Sequence, residues 1–494
     1  MLRFLYIKNI SYYLFVLFFL LISLLVILKI DLYQLGGLYL IFSLSTFFLL
    51  KKTIYDFKNF YLFFFSFFLF LGFFLSFSLN VIFIDLDFVI IINYLSFLNL
   101  EEKIELLYIS IIVNTSLILV YYIPNNFLFP NYKNLIKRNI YKKHVSFFSP
   151  SIKSLFFFNF FLLIISFINY YFGIYMRGVD YNYNSIIKIF FSFLFQLLIY
   201  VPISYYIFVS FVNNRQNYFR LFLILVPSVF IISISILSRY FIVNTFIFLI
   251  TFFLLQNYNS FKKFNLIKFF LFLTTILMVF IINIKIINHL RVFEFTVIKE
   301  KISVSEKQEK LLKFNSNPTP NYNNDKLFKS IIEIFLNRFV GINTLSQVIK
   351  IENKGYDLIY SAIRPSHDNK YFFDELIHKY SLGHNYVDDH TNIKKNKFLS
   401  TVGIIGFLYY SNSKIFIFIS LILISLIFVL FEKLMLYFTQ NIFLNSYFIF
   451  FIVNKIIHFG YQPINIYKSI ISIIFILVIL NLFFRLADNY KKNF

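Results

Sequence analysis

Cysteine is absent from the 494 residues. Disulfides, thiolate metal sites and cysteine nucleophiles are therefore excluded. Charge is sparse: 14% of the residues are Asp, Glu, Lys or Arg, where soluble domains carry about a quarter. Acidic residues are scarcer than basic ones, 23 against 46, which leaves a net charge of +23. Alanine occurs only at Ala362 and Ala487. The accompanying excess of Phe, Ile, Lys, Asn and Tyr is that of AT-rich codons, so part of the positive charge reflects codon bias towards lysine. No Lys/Arg cluster with interleaved aromatics forms a groove-like patch, which excludes nucleic acid as a partner. No internal repeat is visible.

What fills the chain instead is apolar sequence. Its mean hydropathy is +0.75, and runs of about 20 apolar residues, the length that crosses a hydrocarbon core, recur throughout. Twelve spans are expected, near 11–30, 34–50, 60–79, 103–123, 155–174, 189–211, 221–237, 240–256, 268–286, 413–431, 441–457 and 467–486. The expected fold is an all-α polytopic membrane protein of about 12 transmembrane helices, with the lipid bilayer as its surroundings. The N-terminus, with Arg3 and Lys8 before an apolar run, resembles a signal peptide. No small-residue cleavage site follows Ile30, so it reads as an uncleaved first helix.

Charge placement orients the spans, because Lys and Arg accumulate in cytoplasmic loops. With the N-terminus inside, the inner loops take Lys51, Lys52 and Lys58, then Lys133 to Lys153, then Arg215 and Arg220, then Lys262 and Lys263. The short outer loops take Asp31, Asp85, Asp87, Glu101 and Asp180. Both termini are then cytoplasmic. Three parts follow: a membrane bundle of spans 1–9 over 1–286, a large external polar loop over 287–397 between spans 9 and 10, and a re-entrant segment with spans 10–12 over 398–494.

The loop holds His289, His367, His378, His384 and His390, together with Arg291, Arg338 and Arg364. Within it, 300–329 reads as a linker with Pro318 and Pro320. Residues 327–350 read as an amphipathic helix broken at Gly341, and 371–380 as a second short helix. Segment 398–411 is too short to span and reads as re-entrant or interfacial.

The candidate chemistry lies mainly in that loop. Arg239, at the outer end of span seven, suits an anion such as a lipid-linked phosphate, because a guanidinium binds phosphate oxygens with a planar fork. A snorkelling arginine at a tight turn is the plainer alternative. Arg291 stands at headgroup level beyond span nine, and an interface anchor explains it as well. Arg338 and Gly341 form an Arg-x-x-Gly pair that a solvated helix face also explains. Arg364 and His367, in Arg364-Pro365-Ser366-His367-Asp368, are candidate substrate-binding groups. Glu375 and His378 share a helix face at i, i+3 and are candidate acid–base groups, since either takes a proton from a sugar hydroxyl. His384 with Asp388, Asp389 and His390 matches no standard metal-ligand spacing, so no metal and no cofactor is expected. None of the twelve spans carries a central Asp or Glu, which argues against ion-coupled transport.

Two segments resemble the Wzy-type O-antigen polymerases of bacteria. Asn337-Arg338-Phe339-Val340-Gly341-Ile342-Asn343 is similar to that family's Arg-aromatic-(Val/Ile)-Gly segment. Thr401 to Ser413 is similar to a Pro-Gly-x-x-(Ala/Gly)-Phe-x-Tyr-Tyr-Ser-Gly-Ser segment before a late span, with Val402 in place of the proline and Asn412 in place of a glycine. The detailed likeness covers about a tenth of the chain, and elsewhere only the span count and the late large loop agree. The resemblance implies a multi-pass protein of the bacterial inner membrane whose large loop is periplasmic. It implies an inverting glycosyl transfer in which glycan leaves an undecaprenyl-pyrophosphate carrier for the sugar of a second lipid-linked oligosaccharide unit. Arg239, Arg291 and Arg338 would stabilise the leaving pyrophosphate, and Glu375 or His378 would deprotonate the acceptor. A chain-length regulator is a candidate protein partner.

Four rivals stand beside this, one of them a large-loop glycosyltransferase using a polyprenyl-phosphate sugar, which would place acidic residues in the first outer loop, where this chain has only Asp31. An O-antigen ligase has similar topology, but ligases show a His-Asn-x-x-Leu segment where this chain has Lys395-Asn396-Lys397-Phe398-Leu399. A polysaccharide flippase has about twelve spans but short loops and charges inside its bundle. A non-enzymatic scaffold would use the loop as a binding surface.

Overall fold

The computed structural model describes residues 2–30, 33–82, 98–123, 152–176, 185–213, 218–238, scattered positions between 244 and 290, residues 341–363 apart from Glu352, 403–457 and 463–492. These residues are almost wholly helical, with no strand among them. In lipid that is the outcome the backbone requires, since a helix satisfies its own N–H and C=O groups without water.

Five described helices are long and apolar enough to cross a membrane: 34–55, 60–82, 100–122, 186–209 and 414–439. Shorter apolar helices cover 15–29, 156–172, 226–236, 442–457 and 466–482. Helices therefore stand at the expected span positions, except that 240–256 and 268–286 are described only in part, and that part is helical. The described helices are α1 (Leu2–Lys29), α2 (Tyr33–Tyr55), α3 (Phe60–Leu69), α4 (Ser76–Ile82), α5 (Leu100–Tyr122), α6 (Ile152–Phe172), α7 (Ser185–Phe193), α8 (Tyr200–Asn213), α9 (Tyr218–Ile236), α10 (Ile342–Ile349), α11 (Tyr356–Ile363), α12 (Gly403–Tyr409), α13 (Lys414–Thr439), α14 (Ile442–Ile457) and α15 (Pro463–Lys492). Two π-helical turns, Phe70–Leu75 and Leu194–Leu198, join α3 to α4 and precede α8.

The chain divides into two units. The first takes residues 1–130, 321–434 and 449–471. Its core is aromatic: Phe60, Tyr61, Phe64, Phe65 and Phe74 are fully buried. Phe19 stacks on Phe74 at 4.7 Å and Tyr61 on Phe428 at 5.5 Å. Such offset pairs add to the area that large rings bury.

Polar ties fix the direction of the helices in this unit. Asn114 of α5 donates to Ser45 and Thr46 of α2, both at 2.9 Å. Further along, the Tyr121 hydroxyl donates to the Asp56 carbonyl at 2.7 Å. α2 and α5 are therefore parallel. Lys29 at the end of α1 donates to the Ile82 carbonyl at the end of α4 at 2.7 Å. Lys58, in the turn before α3, donates to the Tyr121 carbonyl at 2.6 Å. One end of the unit thus gathers the end of α1 and the starts of α2 and α5, and the other gathers the end of α2, the start of α3 and the end of α5.

α13 is longer than expected: span ten was expected near 413–431. The helix instead runs to Thr439, and Glu432 lies within it at 0% exposure. The physical reason is a local use for the charge. The Glu432 carboxylate accepts from the Phe60 and Tyr61 backbone N–H groups at 2.7 and 2.9 Å. Asn59 caps the same helix by accepting from Leu62 N–H at 2.7 Å. Three N–H groups that a helix start leaves unpaired are satisfied, and the carboxylate sits at the positive end of the helix dipole.

The second unit takes residues 131–320, 435–448 and 472–494. It is held by uncharged polar ties in apolar surroundings. Asn169 of α6 donates to the Ser235 hydroxyl at 2.9 Å and to the carbonyls of Ser235 and Tyr175, both at 3.1 Å, and accepts from Tyr175 N–H at 2.9 Å. Tyr200 stacks on Tyr447 at 4.2 Å, and Asn244 donates to the Tyr200 hydroxyl at 3.0 Å. The Tyr447 hydroxyl donates to the Gln196 carbonyl at 2.5 Å. Gln196 lies in the second π turn, whose i to i+5 pattern frees carbonyls for such partners.

Candidate functional site

Of the residues singled out from the sequence, the structure describes Gly341. Arg239, Arg291, Arg338, Arg364, His367, Glu375 and His378 lie outside the described residues. So do the expected helix 371–380 and the His384–His390 group. The amphipathic helix expected over 327–350 is described from Gly341 onward: α10 begins at Ile342, with Gly341 as its N-terminal flanking residue. α11 was not expected.

Gly341 is required by a close approach of two backbones. A Cβ at this position would stand 2.0 Å from the carbonyl oxygen of Gly72, in the first π turn. Gly341 and Gly403 line the same small apolar cavity with Phe68, Phe73 and Ile457. About 10 Å3 of it is open to the centre of a water molecule, room for about one water. The cavity is thus a junction between elements, too small for a glycan.

Within the segment 398–411, expected to be re-entrant or interfacial, residues 403–411 are described, and α12 lies there. It is a seven-residue helix, wholly buried. Left-handed backbone brackets it: Gly403 has φ 71° and Asn412 has φ 57°. Glycine enters that region freely, and asparagine does so more readily than other side chains. Asn412 therefore occupies its place for the reason a glycine would.

α10 packs against α12 and α5, and at their shared end a polar group forms that sequence reasoning missed. Tyr409, the last residue of α12, is buried and donates its hydroxyl to the Glu105 carboxylate on the first turns of α5. The Lys354 ammonium, between α10 and α11, stands over the Tyr409 ring at 5.1 Å. Lys414 at the start of α13 stands over Tyr108 at 5.5 Å. Asn99 and Glu102 form a reciprocal capping box that fixes the start of α5: Asn99 accepts from Glu102 N–H and Glu102 accepts from Asn99 N–H, both at 2.8 Å.

Burial pushes the Lys354 ammonium below its ordinary range, and the carboxylates of Glu105 and Glu102 oppose that push. Burial, with the Glu105 carboxylate as hydrogen-bond acceptor, pushes the Tyr409 hydroxyl well above its ordinary range. Tyr409 is thus held protonated as a donor. Among the described residues, no group of three or more His, Asp or Glu side chains is arranged to hold a metal ion.

No protein-family model, curated protein or solved structure matches this chain.

Proposed function

We propose that the protein joins undecaprenyl-pyrophosphate-linked oligosaccharide units into a polysaccharide, as an O-antigen or capsular polymerase, at the outer face of a bacterial inner membrane. One observation carries the reading. The two segments that resemble the polymerases lie far apart in the chain, yet Gly341 of one and Gly403 of the other line a single junction. The departure at Asn412 is physically mild, because that backbone is left-handed.

In this reading Arg338 stands three residues before Gly341, whose own backbone lies against the first π turn. Its guanidinium, with those of Arg239 and Arg291, neutralises charge as it develops on the departing pyrophosphate. Arg364 and His367 bind the glycan, and Glu375 or His378 is the loop's candidate base. Charge work by arginines requires no metal or other cofactor.

Glycan laddering in the host tests this. The gene is deleted and complemented with wild type, Arg239→Ala or Arg338→Ala at matched expression. A polymerase loses the ladder on deletion, and a single repeat unit still caps the lipid. Both arginine variants then fail to restore the ladder. Accumulation of free lipid-linked polymer would instead indicate a ligase, and an unchanged ladder would leave a flippase or a scaffold.

A further inference from the structure

At the end of the first unit, Glu105 presents a carboxylate with one oxygen engaged. Oε1 accepts from Tyr409, and among the described residues Oε2 has no hydrogen-bond partner. Glu105 is only part-buried. A carboxylate held by one neutral donor is oriented without being neutralised.

The surroundings have the chemistry of a sugar site. Tyr356 and Tyr360 project one turn apart from α11, 60% and 61% exposed. Tyr356 packs edge-on against Phe416 at 5.5 Å, which ties the start of α11 to the start of α13. Lys354, two residues before Tyr356, reaches the Tyr409 ring. Exposed aromatic faces accept the C–H face of a sugar ring, while carboxylate and ammonium groups take its hydroxyls. Two carboxylates, Glu102 and Glu105, make this an unsuitable seat for a pyrophosphate. The group fits the acceptor sugar and leaves the leaving group to the arginines.

We propose that Glu105, in place of the loop candidates Glu375 and His378, is the general base for the acceptor sugar, oriented by Tyr409, with Tyr356 holding the sugar ring; this rests on the polymerase reading. In the step, the acceptor hydroxyl gives its proton to Glu105 Oε2, and its oxygen bonds to the anomeric carbon of the donor. The bond from that carbon to pyrophosphate breaks, and its electron pair leaves with the pyrophosphate. The proton then passes from Glu105 to solvent. Tyr409 is a positioning residue and takes no part in proton transfer.

The test uses the full-length protein in lipid nanodiscs, with lipid-linked repeat units extracted from the deletion strain. Glu105→Gln is isosteric, and its carbonyl still accepts from Tyr409, so its thermal stability stays near wild type. Its kcat falls about 10²–10⁴-fold with KM nearly unchanged. Tyr409→Phe loses far less kcat, because the carboxylate remains. Tyr356→Ala raises KM with a small change in kcat. If Glu105 and Tyr409 form only a structural tie, the two variants lose activity and stability together. That result, or Glu105→Gln within threefold of wild-type kcat, overturns the proposal. Should Glu105→Gln fail to fold, Glu105→Asp carries the test: the base role predicts lower kcat at wild-type KM, and unchanged kcat refutes it. Chain growth by the wild type separates this failure from failure of the polymerase reading itself.

Discussion

Gly341 shows how one missing side chain positions an element. The 2.0 Å from a would-be Cβ to the Gly72 oxygen leaves no rotamer to adjust, because the obstacle is backbone. Gly341→Ala must push α10 off the first π turn, at a cost of about 1–3 kcal/mol or more. Gly355→Ala is the matched control, since a Cβ there meets nothing within 4 Å. Size-exclusion thermostability should show a clear loss for the first and almost none for the second. Both glycines are visible in the sequence, but only the structure tells them apart. Glu105 was obscured for another reason. It falls inside the expected span 103–123, while most of the acidic and histidine side chains lie in the long loop. The repeat of Glu101, Glu102 and Glu105 at helical spacing was the available sign, and it marks one end of α5 as polar.

At the scale of elements, apolar length located the long described helices, because lipid allows the backbone few other choices. Where they end was less legible. Hydropathy falls at Glu432, yet α13 continues past it, because the carboxylate is consumed by the start of α3 rather than by water. Glu432→Ala leaves the Phe60 and Tyr61 N–H groups without that acceptor, and each unmet buried donor costs about 1–3 kcal/mol. Glu432→Gln retains one acceptor oxygen and should fall between wild type and Glu432→Ala. Asn59→Ala removes the neighbouring cap at a cost of about 1 kcal/mol. Thermostability in a fixed detergent ranks the three, and equal midpoints for Glu432→Ala and wild type would refute the capping role. The π turns had no sequence mark at all, since no side-chain pattern distinguishes i to i+5 bonding from i to i+4.

In the second unit the same logic acts through amides and hydroxyls. Asn169 satisfies four backbone and side-chain groups across α6, the turn after it and α9. Asn169→Leu keeps the volume and removes every bond. Hydrogen bonds between membrane helices average about 0.6 kcal/mol each, so the substitution should cost about 2 kcal/mol, measured as a lower thermal midpoint. A neutral result would show that packing of α6 on α9 suffices without the amide.

At the scale of the whole molecule, the helix directions in the first unit set which of its groups share an end. Glu101 and Lys414 share one end of that unit with Glu105, while Asp56 lies at the other, beside the end of α5. The expectation from loop charges is that Glu101 lies outside and the turn at Asp56 inside. The absence of cysteine gives a clean background for testing this. Glu101→Cys, Lys414→Cys and Asp56→Cys each replace an exposed side chain. A membrane-impermeant maleimide applied to intact cells should label the first two, and label the third only after permeabilisation. Labelling of Asp56→Cys alone in intact cells would turn the polar end with Glu105 and Tyr409 towards the cytoplasm. Lipid-linked units assembled for export would then never meet it on the outer face, and both the polymerase reading and the role of Glu105 would fall together.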